Sequence, residues 1–237
     1  MPCLCETIAG HGADLSPVCI GHLWVFQDLP PAEIEALATA AVRRKYKKGE
    51  AIFMQGNPAR QMVLIKAGRV KLSKITENGS EMTLDIRKAG DFLGENMLSE
   101  DIDYPLSAHC MEETLACGFD KERFEHLILE HPNIGLQVIK NLSRRIAWLT
   151  DHVGSMSLTN LEDRLYRVLV SVAQEHGFQA RAGLVIQFPL THEDLSFLIG
   201  AHRVSVTRAL KNLREAGKII QEGKILTLPL DRLGPVN

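Results

Sequence analysis

At 237 residues, 45% hydrophobic and 24% charged with a net charge of −2, the chain suits one large or two small globular domains with real cores. It carries no run of about 18 apolar residues and no basic segment leading into an apolar stretch, so neither a membrane span nor a secretory signal is expected, and the protein is expected in the cytoplasm. Five cysteines, an odd number, do not suggest a disulfide framework but free thiols or metal ligands.

In chain order, residues 29–43 read as a short helix through PAEIEALATAAVRR. After Lys47, short apolar runs are punctuated at Gly49, Gly56, Gly68, Gly79, Gly90 and Gly94, in units such as MVLIKAGRVKLSKI, NGSEMTLDI and AGDFLGE. Regular strand spacing of this kind predicts a small antiparallel barrel or roll. From His131 to Gly154, Ile134, Val138, Leu142, Ile146, Leu149 and Val153 recur every three or four positions. So narrow a stripe on so long a helix fits a dimer seam; the alternative is packing against its own domain.

SMSLTN interrupts the pattern, and Thr159 with Glu162 suggests a capping box for a helix turning Leu161, Leu165, Val168, Leu169 and Val172 inward. The domain boundary is placed there, and the part from Ser157 onward is mildly basic while the part before it is acidic.

Residues 190–218, LTHEDLSFLIGAHRVSVTRALKNLREAGK, then form two short amphipathic helices broken at Gly200. Thr191 is the expected N-cap of the first, with Asp194 three residues on and Leu195, Leu198 and Ile199 on one face. Gly200 accepts the left-handed conformation that a sharp turn between helices requires. On a wheel started at Arg203, Val206, Ala209, Leu210, Leu213 and Ala216 share one side, and Arg203, Thr207, Arg208, Lys211, Arg214 and Lys218 the other. A hairpin pattern follows, residues 218–221 and 224–228 about a Glu222-Gly223 turn. Together these are the sequence form of a winged DNA-reading helix-turn-helix. Val204 stands in the polar arc, where it either meets a thymine methyl or packs against the wing; Arg203 and Arg208 can each donate two hydrogen bonds to guanine.

A glycine-punctuated roll, a long helix and a winged helix-turn-helix resemble, in this order, the CRP/FNR family of bacterial transcription regulators. The resemblance covers about residues 20–230 and rests on KKGEAIFMQGN at 47–57, KAGRVKL at 66–72, AGDFLGE at 89–95 and the helix-turn-helix. It implies an α+β chain: an N-terminal cysteine-containing tail (1–28), a cyclic-nucleotide-binding-type β-roll or jelly roll that senses an effector (29–130), a long dimerisation helix (131–156) with Val138, Leu142, Ile146, Leu149 and Val153 at the seam, and a DNA-binding domain (157–237). It also implies a homodimer on a roughly palindromic site, with RNA polymerase as a further partner and no membrane. Arg203, Val204, Thr207, Arg208 and Lys211 fall at the expected DNA-reading positions. Family members commonly place a glutamate where this chain has Val204, so the half-site read here departs from the usual one.

For the effector, the family's cyclic-nucleotide cassette resembles Gly94 and Glu95 followed by Pro105-Leu106-Ser107-Ala108, but Leu106 stands at the arginine position. A buried phosphodiester needs a cation, which leucine does not supply, and this argues against cAMP. The family's iron–sulfur branch uses three N-terminal cysteines and one in the roll, and Cys3, Cys5, Cys19 and Cys117 could hold such a cluster, although C-x-C-x13-C is not the usual spacing. Buried apolar packing is the alternative for Cys110 and Cys117, and a metal-free thiol switch is another reading. Haem, through His11, His22, His109 or His152, is the weaker metal option.

A regulator of transcription is therefore the leading expectation. The alternative is a cyclic-nucleotide-binding-type module acting on a protein partner rather than on DNA. An enzyme is least supported, because GxSxG, phosphate-loop and HExxH motifs are all missing from the sequence.

Overall fold

The computed structural model describes residues 20–230 apart from 78, 100, 101 and 157. The chain divides into two compact units, Met1–Arg145 and Ile146–Asn237.

The first unit is a roll of two four-stranded antiparallel sheets. One has the order β1-β8-β3-β6, with β1 Val42–Tyr46, β3 Gln61–Ala67, β6 Phe92–Leu93 and β8 Thr114–Asp120; the other has the order β2-β7-β4-β5, with β2 Ala51–Phe53, β4 Arg69–Ile75, β5 Glu81–Lys88 and β7 Ser107–Cys110. Strand β3 shows why the pattern there reads as a continuous apolar run. Its alternate residues Val63 and Ile65 enter a core between the sheets with Phe53, Val70, Leu72 and Ala108. Met62 and Leu64 enter a second core, beneath the helices, with Phe92, Phe119 and Phe124. Both faces are covered, so no polar alternation is needed.

Helix α1 spans Pro31–Ala40, shorter than the expected 29–43. Its proline occupies the first turn, where the missing N–H costs nothing. It stops because Val42 and Arg43 pair with Gly118 and Cys117 of β8, while the Arg43 guanidinium donates to the Ala38 carbonyl at 2.9 Å. Part of the expected tail is also core. Ile20, Leu23, Val25 and Phe26 are buried, along two 3-10 turns at Ile20–His22 and Trp24–Phe26. Helix α2, Lys121–Glu130, went unread in the sequence, and Asp120 caps it by accepting from Arg123 N at 3.0 Å.

Helix α3, Pro132–Met156, runs 25 residues across the boundary of the two units. Ile134 and Val138 are buried in the first unit's own core, with Leu142 packed against it. Val138 is thereby removed from the expected seam. Ile146, Leu149 and Val153 are 64%, 45% and 65% exposed, and so are Ile139 and Met156 to a similar degree.

In the second unit, α4 (Leu161–His176) is capped by Asn160 rather than Thr159, its side chain accepting from Glu162 N at 2.8 Å and Asp163 N at 3.4 Å. Leu165, Val168, Leu169 and Val172 are buried as expected. A hairpin absent from the sequence reading, β9 Phe178–Ala180 with β10 Gly183–Ile186, joins the wing strands β11 Ile220–Glu222 and β12 Ile225–Leu228 in one antiparallel sheet of order β11-β12-β10-β9. Pairing of Glu222 with Ile225 makes Gly223 and Lys224 the turn residues, not Glu222 and Gly223.

Candidate nucleic-acid interface and effector cassette

Helix α5, His192–Leu198, begins with a closed capping box. The Thr191 hydroxyl accepts from Asp194 N at 3.0 Å, and the Asp194 carboxylate accepts from Thr191 N at 3.0 Å and from the Thr191 hydroxyl at 2.6 Å. Leu195, Leu198 and Ile199 are buried. The turn is made by Gly200 at φ +62°, with Gly200 N donating to Phe197 O and Ala201 N to Ser196 O. Helix α6, Arg203–Glu215, follows.

On α6, Val206, Ala209, Leu210 and Leu213 are buried, whereas Ala216, expected with them, is exposed at the helix end. Arg203, Val204, Thr207, Arg208 and Lys211 form one exposed face. Val204 is 73% exposed, which overturns its packing against the wing. Arg203 and Arg208 project from an ordered helix with two-pronged donors, and Val204 supplies an apolar spot between them. Lys211 lies within 3.7 Å of Glu215 on its own helix, and Lys218 reaches Asp163 at 3.6 Å, so Lys218 serves the domain rather than the exposed face. Thr207 has a partner that the sequence did not reveal: His192 Nδ1 lies 2.9 Å from its hydroxyl.

The residues of the candidate effector cassette lie in the roll. Gly94, at φ +76°, lies so close to the Gln61 carbonyl and the Tyr104 ring that a Cβ would stand 2.8 Å from the first and 3.0 Å from the second. It leads into a 3-10 turn, Glu95–Leu98. Ser107 is buried and accepts from Gln55 N at 3.0 Å, a structural use of the hydroxyl. Leu106 is half-buried and packs against the core between the sheets.

The charge in this region comes from residues the sequence reading passed over. Asp85 and Arg87 on β5 are buried, and so is Arg145 at the end of the first unit. Arg87 Nε donates to the Asp85 carboxylate at 2.7 Å, Arg145 ion-pairs with the same carboxylate, and Arg87 also reaches Glu95 at 3.7 Å. Arg145 donates to the Ile86 carbonyl at 3.3 Å, and Asn141, one turn earlier on α3, to the Gly90 carbonyl at 3.2 Å. In EMTLDIRK the polar residues Thr83, Asp85 and Arg87 alternate at period two; the pattern places them on one face but not on which side of the sheet that face lies.

The cysteines separate. Cys110 belongs to the core between the sheets and Cys117 to the core beneath the helices. Burial pushes the Cys110 thiol above its ordinary range, against a smaller opposing hydrogen bond with Thr114. Cys117 is fully buried in a cluster that includes Leu64, Phe119 and Phe124. That setting matches the reading of Cys117 as a small apolar residue. Cys3, Cys5, Cys19 and His11 lie outside the described residues. Among the described residues, no three His, Cys, Asp or Glu side chains gather as a metal site. His22 is exposed, His109 half-buried, and His152 stacks on Trp148 with ring centroids 4.9 Å apart.

The two halves of this arrangement are matched by known proteins. Residues 43–131 match the model of the cyclic nucleotide-binding domain, and residues 163–235 that of the Crp-like helix-turn-helix domain. The chain is 28% identical over 200 residues to a CRP-like cAMP-activated global transcriptional regulator of Mycobacterium tuberculosis, an alignment covering 84% of this chain and 89% of that one. It is 28% identical over 202 residues to the anaerobic regulatory protein of Bacillus subtilis, covering 84% and 85%. In fold it is similar to the c-di-GMP responsive global regulator CLP of Xanthomonas campestris, with a TM-score of 0.73 and 22% identity over 84% of this chain and 99% of that one. With a cyclic-nucleotide-binding-type roll, a helix-turn-helix of the Crp type and transcription regulators as relatives, the chain belongs to the CRP/FNR family of DNA-binding transcription regulators.

Proposed function

We propose that the chain reads a roughly palindromic duplex as a homodimer, with the exposed face of α6 in the major groove. The observation that carries this reading is the pairing of a fully packed inner face with an outer face on which Arg203, Val204 and Arg208 stand together in solvent. Arg203 and Arg208 read guanine edges, Val204 touches a thymine methyl in place of the family's usual glutamate, and Lys211 meets the backbone. The seam of the dimer is the exposed apolar stripe of α3. RNA polymerase is the further partner, the cytoplasm the expected location, and no catalytic step is assigned. Among the described residues, no helix is long and apolar enough to cross a membrane.

In this reading the roll's effector is not a cyclic nucleotide. Leucine at position 106 leaves a phosphodiester without its cation, and the buried guanidiniums of Arg87 and Arg145 already face Asp85 and Glu95. An anion entering there would have to break buried ion pairs. The test is fluorescence anisotropy with a duplex recovered from a random library by the wild-type chain. Arg208→Ala is expected to lose about 1–3 kcal/mol on that duplex and to relax preference at one base position. Equal loss on every sequence would make Arg208 a backbone contact and defeat its assignment as a reader.

A further inference from the structure

His192 is the first residue of α5, and its imidazole Nδ1 stands 2.9 Å from the hydroxyl of Thr207 on α6. That hydroxyl donates to the Arg203 carbonyl at 3.0 Å. A threonine hydroxyl has one proton, and here Arg203 O takes it. The oxygen can then meet Nδ1 only as an acceptor, so Nδ1 carries a hydrogen. The tautomer follows: in the neutral ring Nε2 is a bare acceptor, and in the protonated ring it is a charged donor. Ring geometry turns Nε2 away from the side bonded to Thr207.

The backbone that carries the ring is fixed by its own helix. Thr191, immediately before it, is locked into the capping box with Asp194, whose carboxylate is occupied by both Thr191 donors. The other acidic neighbour on α5 is Glu193. On α6, Arg203 and Lys211 lie one turn before and one turn after Thr207, and Lys211 leans toward Glu215. Thr207 shares its exposed face with Arg203, Val204, Arg208 and Lys211, so a duplex laid on that face brings phosphate oxygens alongside the imidazole. A phosphate oxygen only accepts. Bare Nε2 repels it, whereas the protonated ring offers it a charge-assisted hydrogen bond.

We propose that His192 binds a DNA phosphate in its protonated form, and that Thr207 orients the imidazole rather than reading a base. The inference rests on the assignment of α6 as the DNA-reading helix. It makes duplex binding take up a proton, so that affinity rises as pH falls, and it gives His192 one cation's share of the salt dependence.

The experiment uses the full chain and the duplex it recovers from a random library, with anisotropy titrations at pH 6 and pH 8 over a range of salt. The expected result is that His192→Ala and His192→Gln weaken binding about 3- to 10-fold at pH 6 and lower the salt slope by about one, with no change in the preferred sequence. Wild type weakens from pH 6 to pH 8, and both variants lose that part of the response. Thr207→Ser keeps it and Thr207→Val loses it, again without a change in base preference. Variants that keep the wild-type slope and pH response overturn the proposal, as does a Thr207→Val that changes preference at one base pair. A wild-type chain that recovers no duplex at all would instead overturn the DNA-reading assignment of α6, and this role with it.

Discussion

Val204 and Asp85 both sit where the local pattern gives an ambiguous side, and the structure resolves them in opposite directions. Val204 stays in solvent, 73% exposed although it is apolar, because α6 spends its inner face on Val206, Leu210 and Leu213. In the proposed docking of α6, its contribution is made in contact with DNA. Val204→Ala is expected to leave the melting temperature unchanged and to lower discrimination at a single thymine by about 1 kcal/mol, read from binding to duplexes substituted at each position. Unaltered discrimination everywhere would leave Val204 without a role in reading. Asp85 is buried although it is charged, because two guanidiniums meet it there. Removing it leaves two buried cations short of their anion, whereas removing Arg145 leaves Asp85 with Arg87. Asp85→Asn is therefore expected to cost about 3–5 kcal/mol in urea unfolding of the full chain, and Arg145→Met distinctly less. Equal losses would mean that Arg87 does not hold Asp85.

Among the elements, α3 serves two faces. Ile134 and Val138 fill the first unit's core, while Ile139, Leu142, Ile146, Leu149, Val153 and Met156 recur at alternating steps of three and four, the spacing of a two-stranded seam. Most of that stripe lies open, with Ile146 and Val153 the most exposed. Sequence spacing alone runs Val138 into the same stripe, because 138, 142, 146 and 149 also step by fours and threes; only the burial of Val138 in the core cluster that also holds Phe124 and Leu127 assigns it elsewhere. The two faces make separable expectations. Ile146→Asp should shift the chain from dimer to monomer in sedimentation equilibrium and weaken duplex binding while preserving helix content. Val138→Ala should lower stability by about 2 kcal/mol and leave the association unchanged. A dimer that survives Ile146→Asp would place the seam on another surface.

At the scale of the whole molecule, the candidate effector cassette and the part of α3 that belongs to the first unit are joined by side chains. Glu95 meets Arg87, Arg87 and Arg145 share Asp85, and Asn141 holds the Gly90 carbonyl. Arg144 adds a contact over the Trp24 ring at 4.3 Å, and Trp24 itself donates to the Ala89 carbonyl. These contacts end at Arg145, the last residue of the first unit. Local chemistry determined a great deal of this protein without them. Glycine punctuation marked the strands of the roll, Thr191 with Asp194 marked the start of the helix-turn-helix, Gly200 marked its turn, and helical spacing separated a packed from a basic face on α6. All of these depend on neighbours within about one turn, and a single chain segment carries them. What tertiary structure decided is which side of a pattern faces in and which distant groups meet. It turned Thr83, Asp85 and Arg87 inward, sent Cys110 and Cys117 to different cores, capped α1 with Arg43, and set His192 against Thr207. The physical reason is that burial of a charge or a choice of face depends on a partner many residues away, and periodicity along one segment contains no record of that partner.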